Sequence, residues 1–92
     1  MADIGHNKAI HMTLGKIKLT DHARQRAALR GVTLSDIADV LTYGRHVDGC
    51  EAGTSEAYAE IDGKPLTVVY DSLEYELYGV TSVITVIRRA CE

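Results

Sequence analysis

At Gly44 the hydrophobic rhythm of this chain changes from that of a helix to that of a strand. Before it, Leu34, Ile37, Ala38 and Leu41 fall at i, i+3, i+4 and i+7, one apolar stripe along a helix. After it, Glu56-Ala57-Tyr58-Ala59-Glu60-Ile61 alternates polar with apolar, except that Tyr58 joins the polar side. Segregated helices and strands point to an α+β fold. The expected architecture is two N-terminal helices in a helical hairpin, packed on an antiparallel sheet of three to four strands. The 92 residues leave room for one domain, placed at 16–92, behind a polar, aperiodic stretch over 1–15 read as a flexible tail.

Local signals give the boundaries. Thr20 or Asp21 offers an N-cap to a run of strong helix formers over 21–30, and Gly31 supplies its stop. Thr33 caps the second helix, with Asp36 in capping-box position, and Gly44 ends it. Ile17-Lys18-Leu19 alternates as a short edge strand. Asp62-Gly63 is a hairpin turn signal between 56–61 and the β-branched segment 66–70. Residues 72–79 read as a polar, Tyr-rich connection. Val80 to Ile87 is almost continuously β-branched, which suits a central strand.

Composition narrows the function classes. A hydrophobic fraction of 46% with 25% charged residues fits a globular domain rather than a disordered chain. No apolar run is long enough for a membrane span, and the early Asp3 does not suit a signal peptide. Cys50 and Cys91 read as reduced thiols, so a cytoplasmic location is expected. His46 and Cys50 are four apart, but two ligands do not make a zinc site; no metal or cofactor is expected. There is no glycine-rich phosphate loop and no nucleophile elbow.

Charge is unevenly spread. Residues 1–50 carry a net +2 and residues 51–92 a net −5. The basic excess sits at Lys16, Lys18, Arg24, Arg26 and Arg30, opposed only by Asp21. Within it, His22, Arg26 and Arg30 are spaced i, i+4, i+8 and drift only about 40° per step on a helix, forming one stripe. Ala23 and Ala27 occupy the adjacent strip and suit packing on the sheet. In such a stripe a neutral imidazole accepts a proton, and paired guanidinium groups hold a phosphate or steady a phosphorane. The competing reading is a solvated helix face. Arg88-Arg89 places one arginine on each face of the last strand, either completing a basic cleft or guarding a strand end. The candidate catalytic set is therefore His22, Arg26, Arg30 and Arg88. Lys16, Lys18, Arg45, Arg89 and Tyr58 are the candidate RNA-binding set. Tyr58 suits base stacking. In a chain without Phe or Trp, however, its five tyrosines, Tyr43 and Tyr70 among them, are expected to serve in packing.

The stretch from Leu19 to Thr33, opening Leu-Thr-Asp-His-Ala-Arg-Gln-Arg and closing Arg-Gly-Val-Thr, is followed by Ile37, Val40-Leu41 and Gly44. It resembles a small bacterial domain family of unassigned function that is grouped with the BrnT and RelE/ParE-type toxins. Gly63 to Tyr70 and Val83 to Ile87 are similar to that family's closing strands, so the likeness covers about residues 17–88. It implies a helix-plus-antiparallel-sheet fold and, from the toxin members, metal-independent cleavage of RNA. The positions that carry over are His22, Arg26, Arg30 and Thr85. The chain departs from the toxins in its acidity and its few basic residues in the C-terminal half. RNA or a cognate antitoxin protein is the implied partner.

A second function class stays open. The acidic half, with Glu56, Glu60, Asp62, Glu74 and Glu76, suits a non-catalytic phage or mobile-element protein that inhibits a host defence complex by meeting a basic surface. Asp3-Ile4-Gly5-His6-Asn7 is similar to the openings of phage reading frames. The same charges also serve plain solubility. A homodimer through an exposed strand edge is compatible with both classes.

Overall fold

The computed structural model describes residues 16–88. The expected tail over 1–15, Arg89 and Cys91 lie outside the described residues. In chain order the elements are β1 (Lys16–Leu19), α1 (Asp21–Arg30), α2 (Leu34–Tyr43), β2 (Arg45–Asp48), β3 (Thr54–Ile61), β4 (Lys64–Asp71), α3 (Ser72–Tyr78) and β5 (Val80–Arg88). The five strands form one sheet in the order β1-β5-β4-β3-β2.

The class is α+β, but the sheet is larger than expected and mixed. β2 to β5 pair antiparallel, whereas β1 pairs parallel with β5. That second pairing makes β5 an interior strand, the environment its β-branched run suits. β2 carries no strong alternation of its own; its backbone is held by Arg45↔Tyr58 to Asp48↔Ser55 on β3. The segment 72–79, read as a connection, contains a helix. The Asp71 carboxylate accepts from the Glu74 amide at 2.9 Å, and Gly79 closes the other end in the left-handed region. None of the seven residues of α3 is fully buried; its two caps and the half-buried Tyr75, which packs against the core, hold it.

The helix signals translate directly. Thr20 caps α1 and Gly31 ends it at φ 68°. Thr33 and Asp36 form the reciprocal capping box of α2. The Asp62-Gly63 turn has φ of 58° and 77°, the mirror-image turn that matches strand twist.

α1 lies on β5, while α2 lies on β3 and β4. Ala23, Ala27, Ile37, Val40 and Leu41 pack down onto Ala57, Leu66, Val68, Tyr70, Val83 and Val86. The register fixes which strand residues share this covered face: Ala57 sits opposite Val68, Val68 opposite Val86, and Leu66 opposite Arg88. Between Val69 and Tyr70 the register slips, leaving Ile84 as the extra residue of a bulge. The bulge is where α1 attaches. The Thr20 amide donates to the Val83 carbonyl and its hydroxyl donates to the Ile84 carbonyl, both at 3.0 Å.

Candidate functional site

The small side chains of Ala23 and Ala27 let α1 lie close on β5, and both are buried. This seating turns the neighbouring stripe outward. His22 and Arg30 are exposed and Arg26 is half-buried. Among the described residues none of the three is engaged in a hydrogen bond or ion pair, and the one ion pair lies elsewhere, between Lys18 and Glu74 at 3.8 Å. The stripe therefore presents two guanidinium groups and an imidazole along one helix face, with none of them paired to a carboxylate among the described residues.

The remaining candidates divide between two surfaces. Arg88 shares the covered face with Leu66. Its Nη2 donates to the Ile61 carbonyl at 2.8 Å, and its Nε is buried with no partner among the described residues. Arg88 thus ties the end of β5 to the end of β3. Lys16 and Lys18 alternate with the core-packed Ile17 and Leu19, so they project from the opposite, uncovered face at one edge of the sheet. Arg45 and Tyr58 stand directly opposite each other across β2 and β3, near the other edge of that face. Four strand spacings separate β1 from β2, about 19 Å. The structure therefore brings Arg45 and Tyr58 together but keeps them apart from Lys16 and Lys18. Arg89 is outside the described residues. Thr85 pairs with Val69 and is half-buried.

The acidic set is also distributed. Glu56 and Glu60 flank Tyr58 on β3, Asp62 is in the hairpin turn, and Glu74 and Glu76 lie on α3. Tyr58 is 39% exposed and Val47, beside Glu56 in the register, is 45% exposed. Tyr43, expected to pack, is exposed at the end of α2; Tyr70 is the tyrosine that fills the core.

A hydrogen-bonded relay that spacing does not reveal lies beneath α2. His46 Nε2 donates to the Leu41 carbonyl at 3.0 Å, which leaves Nδ1 to accept from the Tyr70 hydroxyl at 2.8 Å. The rings meet edge-on at 5.7 Å. Ser55 stands directly opposite Tyr70 in the register of β3 on β4. Burial pushes the His46 imidazole below its ordinary range, opposed by the hydrogen bond to Leu41. Burial raises the Tyr70 hydroxyl, with the neighbouring Ser55 hydroxyl working against it and Tyr75 adding to it. Both groups are therefore held neutral, as the relay requires. His46, Tyr70 and Ser55 are 9 to 24 positions apart in sequence, and only strand register joins them.

Among the described residues no cluster of three or more His, Cys, Asp or Glu side chains is arranged to hold a metal ion. No described helix is long and apolar enough to cross a membrane. Residues 19–88 match the family model described as a domain of unknown function, DUF4258. No curated protein and no solved structure matches the chain.

Proposed function

Because the chain belongs to the DUF4258 family, which carries no assigned activity, we propose from its site that it is a RelE/BrnT-like toxin-type domain acting on RNA. One observation carries the reading: the stripe of exposed His22 and Arg30 with half-buried Arg26 lies on a helix seated on β5 by Ala23 and Ala27, unneutralised by any described carboxylate. Two guanidinium groups along one helix face suit consecutive phosphates of a single strand. In metal-independent cleavage, His22 takes the proton of an RNA 2′-hydroxyl. The 2′-oxygen attacks the adjacent phosphorus, the P–O5′ bond breaks, and the 5′-oxygen takes a proton from solvent water, whose hydroxide is neutralised by the proton held on His22. A 2′,3′-cyclic phosphate and a 5′-hydroxyl result. Arg26 and Arg30 stabilise the charge that builds on the phosphorane. Arg88, committed to the Ile61 carbonyl, enters this scheme as part of the scaffold.

The test is inducible expression in a bacterium, with wild type compared to His22→Ala/Arg26→Ala at matched protein levels. Growth arrest by wild type alone, with new 5′-hydroxyl RNA ends, is the expected result. No arrest and no RNA binding by folded wild type would overturn the reading.

A second reading rests on a different observation. Glu56 and Glu60 flank the exposed Tyr58 on the uncovered sheet face, an acidic rim around an apolar centre. That pattern suits a basic protein surface, such as one in a host defence complex. It predicts no toxicity, and loss of partner binding on Glu56→Lys/Glu60→Lys.

A further inference from the structure

Strand β1 ends the sheet, and no described strand pairs with its outer side. The Thr20 amide bonds to Val83 of β5, and backbone groups along a strand alternate in direction. Lys16 and Lys18 therefore turn their amide and carbonyl groups toward β5, whereas Ile17 and Leu19 turn theirs outward. The Leu19 carbonyl confirms this direction, because it accepts from the Arg24 guanidinium on the outer side at 3.4 Å. A groove of about 510 Å³ runs along this edge, lined by Ile17, Lys18, Leu19, Arg24 and Leu34. Leu34, at the start of α2, is 57% exposed beside it.

The groove has two chemically distinct sides. On the helix-covered side stand Ile17, Leu19 and Leu34; on the other stand Lys16 and Lys18, with Arg24 reaching over the end. An added strand would present alternate residues to these two sides. We propose that β1 takes an extended segment of a partner protein whose sequence alternates acidic and apolar residues, completing a six-stranded sheet. The acidic side chains pair with Lys16 and with Lys18, which exchanges its solvent-exposed 3.8 Å contact to Glu74 for the incoming carboxylate, and the apolar ones fill the groove against Leu34. A second copy of this chain does not fit, because β1 against β1 sets lysines opposite lysines. This inference does not use the His22, Arg26 and Arg30 stripe, since Arg24 lies about 160° around α1 from Arg26; it assigns Lys16 and Lys18 to the partner strand rather than to RNA.

The test titrates two blocked synthetic peptides, Glu-Leu-Glu-Val-Glu-Leu and Lys-Leu-Lys-Val-Lys-Leu, into isotope-labelled full-length protein. The acidic peptide is expected to bind about tenfold tighter than the basic one. Its binding should shift the amide resonances of Ile17 and Leu19 and slow their hydrogen exchange. Lys16→Glu/Lys18→Glu, with its fold checked by the same spectrum, should invert the preference. Leu34→Asp, which places a carboxylate at a helix start that tolerates it, should weaken the acidic peptide about fivefold. Equal binding of the two peptides, shifts confined to His22, Arg26 and Arg30, or self-association through β1 would each overturn the proposal.

Discussion

His46 shows how a single side chain acquires a role from its surroundings. Its two ring nitrogens join the last turn of α2 to β4 through β2, and the geometry needs the neutral ring. Because burial depresses its pKa in the folded chain, the unfolded state binds the proton more readily. The relay's contribution is therefore fully present above the unfolded value of about 6.5 and is lost as pH falls through the folded value. Chemical denaturation at pH 7.5 and at pH 5.5 should show wild type losing stability at the lower pH. His46→Gln should cost about 1–2 kcal/mol at pH 7.5, by stranding the Tyr70 hydroxyl or the Leu41 carbonyl, and should flatten that pH dependence. An equal pH slope in both proteins would show that other groups set it. Gly44 makes a related point. Its φ is −79°, an ordinary value, so no left-handed turn demands glycine there. A Cβ would lie 2.5 Å from the Val40 carbonyl oxygen and 2.7 Å from that of Tyr58. Gly44 does stop the helix, as read from the sequence, but the need for glycine there comes from the close approach between α2 and β3.

At the scale of elements, α1 is held by its first turn and its alanines rather than by a broad apolar face. The Thr20 hydroxyl accepts from the Ala23 amide and donates to the Ile84 carbonyl, both at 3.0 Å, so one side chain caps the helix and binds it to the β5 bulge. Thr20→Val keeps the shape and removes both bonds. It should cost about 1–2 kcal/mol in denaturant unfolding. Thr33→Val, which removes a cap without a bond to the sheet, should cost about 1 kcal/mol. If the two losses are equal, the bond to Ile84 contributes little. The cap was legible in the sequence, since Thr20 precedes a run of helix formers. Its second bond was not, because the bulge arises from the register of β4 on β5.

At the scale of the whole molecule, the basic segment 16–30 is split by the fold. α1 turns Arg26 and Arg30 one way and Arg24 the other, while Lys16 and Lys18 project from the uncovered sheet face at the β1 edge. RNA held by the stripe alone makes two cationic phosphate contacts. The logarithm of its binding constant should then fall against that of salt concentration with a slope of roughly −1.4. A slope of about −3.5 would mean that Lys16, Lys18 and Arg45 also reach phosphate, as a strand crossing the whole sheet face would require. Fluorescence anisotropy on a single-stranded oligonucleotide at several salt concentrations distinguishes the two.

By itself the sequence determined the α+β class, both long helices with their caps, the Asp62-Gly63 hairpin and the interior character of β5. Each of these depends on interactions within a few residues or on hydrophobic period, which a linear pattern records. It also determined that His22, Arg26 and Arg30 share a helix face, since helical geometry follows from spacing. Tertiary structure alone decided that β1 returns parallel to β5, that Arg88 is drawn in to the Ile61 carbonyl, and that His46, Tyr70 and Ser55 meet. Those outcomes come from pairing between residues up to 64 positions apart, from Leu19 with Val83 to Ile61 with Arg88. Such pairing is chosen by the total burial and hydrogen bonding of the sheet, to which no local pattern gives access.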